Sequence, residues 1–170
     1  MASRGSMGGL AVHTAQVCDV LDAAGFDRIV IETVGVGQSE LEVAQTADST
    51  AVVLVPESGD GIQAMKAGLM EIGDLFVINK ADREGAERSA FAIRTALELR
   101  RRPEWDPPVL LAAALDGTGV PEIVARLESH FAFLAERGDL DQRRRRRYEQ
   151  QLVDTLRDRM WRRWRELLPD

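Results

Sequence analysis

The stretch Arg28-Ile-Val-Ile-Glu-Thr-Val-Gly-Val-Gly-Gln-Ser39 decides how this chain is read. Arg28–Ile31 has the β-branched, apolar composition of a short buried strand. Glu32 ends that strand, and a loop with glycines at Gly35 and Gly37 follows. A strand that stops at an acid and enters a glycine-rich loop sets a carboxylate where it can hold Mg²⁺, often through water. The glycine lets a backbone N–H approach a phosphate oxygen. A second stretch, Asn79-Lys80-Ala81-Asp82, closes another strand-like run, Asp74–Asn79.

Outward from these two points, strand-like and helix-like segments alternate. Thr50–Val55, Asp74–Asn79 and Val109–Ala112 join Arg28–Ile31 as expected buried strands. Helical spacing is expected from Leu10 to Ala24, with Val17, Val20 and Leu21 on one face and Gly25 ending the helix. Leu41–Ala44 suggests a short helix, and Ile62–Ile72 and Ala86–Arg101 read as helices, the last burying Ala90, Phe91 and Leu97. A further helix carries Val120, Ile123, Val124, Leu127, Phe131 and Leu134, with Pro121 and Glu122 in its first turn. A long charged helix from Asp141 to Leu168 aligns Leu152, Leu156, Met160 and Trp164. The alternation predicts an α/β fold with a mainly parallel sheet flanked by helices. Ligands of such sheets sit beyond the carboxyl ends of the strands, where both quoted motifs lie.

Composition narrows the function. At 170 residues and 45% hydrophobic content, the chain suits one domain burying roughly 70% of its unfolded surface. The single cysteine, Cys18, excludes an internal disulfide and fits a reducing, cytoplasmic setting; its place near an apolar helix face suggests a core thiol. His13 and His130 lie far apart, against a His/Cys metal cluster; His130 reads as structural or exposed. No apolar run reaches membrane-span length, and the first residues have no signal-peptide core. A net charge of −6 opposes general nucleic-acid binding. Arg143–Arg147 sits among Asp139, Asp141, Glu149 and Asp154 and reads as a solvated helix face.

Asn79–Asp82 alone reads as a polar turn. Beside the acidic loop at the earlier strand end, it reads as guanine recognition. An aspartate held there accepts from guanine N1–H and N2–H₂, whereas adenine offers no such donor pair. Sites built on such hydrogen bonds reject the wrong ligand by roughly 10⁴–10⁵-fold.

Glu32-Thr-Val-Gly-Val-Gly-Gln-Ser-Glu40, Gly59–Lys66, Gly68–Asp74 and Asn79–Asp82 together resemble the MeaB/ArgK-type GTPases, also called LAO/AO transport system kinases or ATPases. These are P-loop GTPases acting as chaperones of cobalamin-dependent acyl-CoA mutases such as methylmalonyl-CoA mutase. The resemblance runs from about Arg4 to Arg163 and implies a partial P-loop NTPase fold with a carboxyl-terminal helical arm. It divides the chain into residues 1–138, part of a GTPase domain, and 139–170, an arm that dimerises.

The family's roles imply GTP/GDP and Mg²⁺ as ligands. Glu32 would stand near the metal, Gly35 would sense the γ-phosphate, and Gln38 would order water. Asn79, Lys80, Ala81 and Asp82 would bind guanine. Ala113-Ala114-Leu115 stands where the family usually has Ser-Ala-Leu. The Ala114 N–H would meet guanine O6 without the serine hydroxyl's support. Gly59–Lys66 would pass nucleotide state to the mutase.

One feature departs from the family: no GxxxxGK(S/T) occurs in the chain. That motif supplies the N–H cradle, the phosphate lysine and the Mg²⁺ hydroxyl. The chain therefore reads as the carboxyl-terminal part of such a GTPase, expected to hydrolyse GTP poorly or not at all by itself. A non-catalytic interaction protein that keeps the mutase-facing and dimer surfaces is the alternative. A remote one is an NAD(P) oxidoreductase, from Gly35-Val-Gly-Gln-Ser-Glu40 and Glu57. Glu40 occupies the place of a third glycine or alanine there, and Glu32 would repel pyrophosphate.

Overall fold

A computed structural model describes residues 14–33, 44–56, 68–99 and 104–167. Its elements are α1 (Thr14–Ala23), β1 (Ala51–Leu54), α2 (Leu69–Ile72), β2 (Leu75–Ile78), α3 (Ala86–Glu98), β3 (Val109–Leu111), α4 (Val120–Arg137) and α5 (Asp139–Leu167). The three strands form a parallel sheet in the order β1-β2-β3. The α/β architecture read from the sequence is therefore present. The chain falls into two compact units, Met1–Ala132 and Phe133–Asp170.

β2 is the axis of the first unit. All four of its residues are buried, because helices cover both faces. One face carries Phe76 and Ile78, packed with Val52, Leu54 and Val109 against Ala86, Ala90 and Ile93 of α3. The other carries Leu75 and Val77, which join Leu110 and Ala112 beneath Ile123 and Leu127 of α4. The register Ala51↔Leu75 and Val53↔Val77 puts Ala51 and Val53 on this second face, yet both are exposed, Val53 by 59%. Gly73, just before β2, is fixed by space. A Cβ there would lie 2.5 Å from the Phe76 ring and 3.0 Å from Val52.

Several expectations are corrected. Arg28–Ile31 has no regular secondary structure and joins no ladder among the described residues, and Val30 is 92% exposed. Strand composition cannot make a strand without a neighbour to bond, and the described sheet offers none to this segment. None of the residues of α1 is buried, so its apolar face is uncovered and Cys18 is half-buried rather than a core thiol. On α3 the buried face is Ala86, Ala90 and Ile93; Phe91 sits one helical step off it and is 69% exposed. On α4, Val120, Val124 and Phe131 are exposed, while Ile123 and Leu127 carry the packing. Most of the expected Leu41–Ala44 and Ile62–Ile72 helices lies outside the described residues; Ala44–Thr46 and α2 are helical.

In the second unit the chain turns at Gly138, in the left-handed region at φ 75°, and Arg137 pairs with Asp139 at 3.0 Å. α5 is laced by local pairs, among them Arg145–Glu149 at 4.0 Å and Arg157–Asp154 at 3.4 Å. Such exposed pairs contribute well under about 1 kcal/mol each. Its apolar stripe of Val153, Leu156, Met160, Trp161 and Trp164 lines an open groove of about 590 Å³. No helix among the described residues is long and apolar enough to cross a membrane.

Candidate functional site

Two loops meet at the carboxyl end of the sheet. The first leaves β2 at Asn79, whose N–H donates to the Leu54 carbonyl at 2.8 Å and so extends the ladder by one residue. The Asn79 side-chain oxygen then accepts two backbone N–H groups, from Lys80 at 2.8 Å and from Ala114 at 3.1 Å. Two donors on one atom fix the orientation of the amide. The Ala81 N–H donates to the Ala112 carbonyl at 2.9 Å, a second tie between the loops. Asn79, Lys80, Ala81 and Asp82 are thus brought beside Ala113, Ala114 and Leu115.

Lys80 has φ 58°, the one non-glycine residue in the left-handed region among those described. That conformation costs a lysine about 1 kcal/mol or more and persists only where its surroundings impose it, commonly at ligand sites. Here it turns the chain so that Asn79 can hold both loops. Asp82 and Leu115 are exposed at the site's surface.

The second loop is locked from within. The Ala113 N–H donates to the Thr118 carbonyl at 3.0 Å, and the Thr118 N–H donates to Asp116 Oδ1 at 2.9 Å. The Thr118 N–H, with its hydroxyl second, holds the Asp116 carboxyl below its ordinary value. Gly119 closes the loop at φ 78°, where a Cβ would run into the Leu111 carbonyl oxygen. This Asp116 lock went unread in the sequence; an Asp two residues before a Thr in a glycine loop was its signal.

Of the acidic-loop candidates, Glu32 alone lies among the described residues. Glu32 is exposed in an irregular stretch, and Gly35 and Gln38 lie outside the described residues. As a metal ligand Glu32 fits only as one oxygen donor among several. Among the described residues no group of three or more His, Cys, Asp or Glu side chains is arranged to hold a metal. The Ala114 N–H, expected to face guanine O6, is directed at Asn79.

At the opposite, amino end of the sheet lies a polar node that sequence reasoning left undecided. His130 of α4 is 2% exposed. Its Nδ1 and the Ser49 hydroxyl are hydrogen-bonded at 2.8 Å, and its Nε2 lies 3.4 Å from Asp74 Oδ1. The other Asp74 oxygen accepts the Thr50 N–H at 2.9 Å. The Trp105 ring sits 4.8 Å from the imidazole and donates its N–H to the Asp74 carbonyl at 2.8 Å.

Comparison with known proteins adds the family. Residues 1–167 match the family model described as methylmalonyl Co-A mutase-associated GTPase MeaB. The chain is 45% identical over 156 residues to a putative GTPase of Pyrococcus horikoshii, covering 89% of this chain and 49% of that protein. It is 39% identical over 160 residues to GTPase ArgK of Escherichia coli, covering 91% and 47%. A crystal structure of an LAO/AO transport system kinase superposes with a TM-score of 0.72 at 34% identity, over 91% of this chain and 49% of that one. The chain spans about half the length of the curated relatives it matches.

Proposed function

Because the chain belongs to the family of methylmalonyl-CoA mutase-associated GTPases, we propose that it is the guanine-reading part of a GTP-binding and GTP-hydrolysing chaperone. The complete activity would gate cobalamin loading and protection of methylmalonyl-CoA mutase or a related acyl-CoA mutase in the cytoplasm. The observation that carries this reading is the double acceptance by Asn79, which ties the Asn79–Asp82 turn to the Ala113–Leu115 loop. A base seated there would meet the Asp82 carboxylate on its N1–H and N2–H₂ edge. The Lys80 stem would cover its face, and Ala114 would share its N–H between Asn79 and guanine O6. Leu115, wholly exposed, is apolar surface available to the nucleoside.

Glu32 would hold Mg²⁺ through water, which suits an ion that keeps several waters and takes few carboxylates. Bound Mg²⁺ would neutralise phosphate charge. Gly35 would sense the γ-phosphate and Gln38 would orient water. Without a GxxxxGK(S/T) segment in its sequence, the chain by itself would turn over GTP poorly or not at all.

Titration with fluorescent GDP and ADP tests the reading. GDP should bind in clear preference to ADP, and Asp82→Asn should weaken GDP by about tenfold or more while leaving the weak ADP binding unchanged. Equal binding of the two nucleotides would overturn it.

The groove on α5 supports a second element, a homodimer formed through the arm. The Trp161 and Trp164 rings pack tilted at 42° with centroids 4.9 Å apart and stay half exposed, as paired aromatic anchors of an interface do. Light scattering should show a dimer that Trp164→Glu converts to monomer. A wild-type monomer at micromolar concentration would remove this element.

A further inference from the structure

We propose that Asp116 is a positioning residue of the guanine site: through Thr118 it holds the tip of the β3–α4 loop, and with it the Ala114 N–H and Leu115, where a base is read. The role rests on the guanine reading above. It follows first from what the tip lacks. Ala112, Ala113, Ala114 and Leu115 are four residues in a row without a side-chain donor or acceptor. Their order must come from the backbone and from neighbours. Ala113 is gripped at both of its backbone groups. Its N–H donates to the Thr118 carbonyl at 3.0 Å, and its carbonyl accepts the Gly117 N–H at 3.0 Å. Ala114 and Leu115 lie beyond that base and are exposed.

The base is only as firm as Thr118, and Thr118 stands between two glycines. Gly117 has φ 80° and Gly119 φ 78°, and glycine gives up more backbone freedom on ordering than any other residue. Gly119 is confined by the close approach of the Leu111 carbonyl. Gly117 has nothing within 4 Å of the place a Cβ would take, so space does not hold it. The Asp116 carboxylate supplies the constraint. Its Oδ1 accepts the Thr118 N–H at 2.9 Å, across that glycine, and bonds to an ionised acceptor are the stronger kind. Thr118 is thereby held at both backbone groups, the N–H by Asp116 and the carbonyl by Ala113. The lowered Asp116 carboxyl reports the same grip from the acid's side. Because its carboxylate is committed to Thr118, Asp116 acts on a base through the loop. Without it the tip would swing on Gly117, and the Ala114 N–H, 3.1 Å from Asn79, would be poorly placed for guanine O6.

Titration of the wild-type chain, Asp116→Ala and Asp116→Asn with fluorescent GDP and ADP tests this. Asp116→Ala should weaken GDP about fivefold and leave ADP unchanged, since adenine has no carbonyl for the Ala114 N–H. Asp116→Asn keeps an oxygen to accept from Thr118 and should stay within about twofold of the wild-type chain. Amide exchange at Ala114 should quicken in Asp116→Ala and not in Asp116→Asn. Both variants should melt within about 2 °C of the wild-type chain, because the side chain is exposed. A larger drop in Asp116→Ala would make the bond a structural one and overturn the role. Unchanged GDP binding in Asp116→Ala overturns it too, as does an equal loss in both variants, which would make the charge the cause instead of the bond. Tighter binding of both nucleotides by both variants would mean that Asp116 acts only by repelling phosphate. Each of these results leaves the guanine reading standing while the wild-type chain prefers GDP. A wild-type chain without that preference removes the guanine reading, and the positioning role with it.

Discussion

The two ends of the sheet solve opposite problems with the same kind of bond. At the amino end, half-buried Asp74, Ser49 and Trp105 gather around buried His130, and the node joins α4 to the starts of β1 and β2. At the carboxyl end, Asn79 gathers two loops by their backbones and leaves Asp82 and Leu115 facing solvent. A buried polar group must be matched by its neighbours, since any orphan carries the whole desolvation cost. A group at the surface can exchange its partner for water or a ligand at little cost. One end is therefore built for anchoring and the other for recognition.

The largest effect that would break this contrast comes from His130. His130→Ala should lower unfolding stability by about 3 kcal/mol, through the lost ring volume and the stranded Asp74 and Ser49 groups. Urea denaturation measures it. A loss under about 1 kcal/mol would mean that the node anchors nothing. Asn79→Ala should cost less, about 1 kcal/mol, because water reaches the freed Lys80 and Ala114 amides. Faster exchange should appear at those two amides while β2 stays protected. A global loss as large as that of His130→Ala would erase the distinction between the ends.

The smallest effect sharpens it. Asp116 titrates below its ordinary value because the ionised carboxylate accepts from Thr118. A depressed carboxyl contributes its stabilisation above the unfolded-state value and loses it as pH falls through the lowered folded value. Acid titration should therefore shift the Thr118 amide resonance only below the usual aspartate range. Asp116→Asn should remove the shift.

How much of this could be read from the chain depends on how local each feature is. β2 was legible because four consecutive apolar residues bounded by Asp74 and Asn79 describe a strand buried on both faces. α4 was legible from its spacing, although which of its apolar residues pack was not. That depends on where α4 lies over the sheet. Asn79–Asp82 was legible as a recognition turn, but the Asn79–Ala114 bond joins residues 35 apart and needs the folded sheet to be seen. His130 carried no signal at all, since Ser49, its partner, is 81 residues away. Arg28–Ile31 shows the converse. Its residues favour a strand, but a ladder is a property of two segments, and the sequence of one cannot supply the other.

The tryptophan placement has a practical consequence. Of the chain's three indoles, Trp105 lies against the His130 imidazole in the first compact unit, and Trp161 and Trp164 belong to the arm. With the two arm residues replaced by phenylalanine, the remaining fluorophore becomes a built-in optical gauge. Loosening of the anchored end would then show as a change in emission from one known position, without any attached dye.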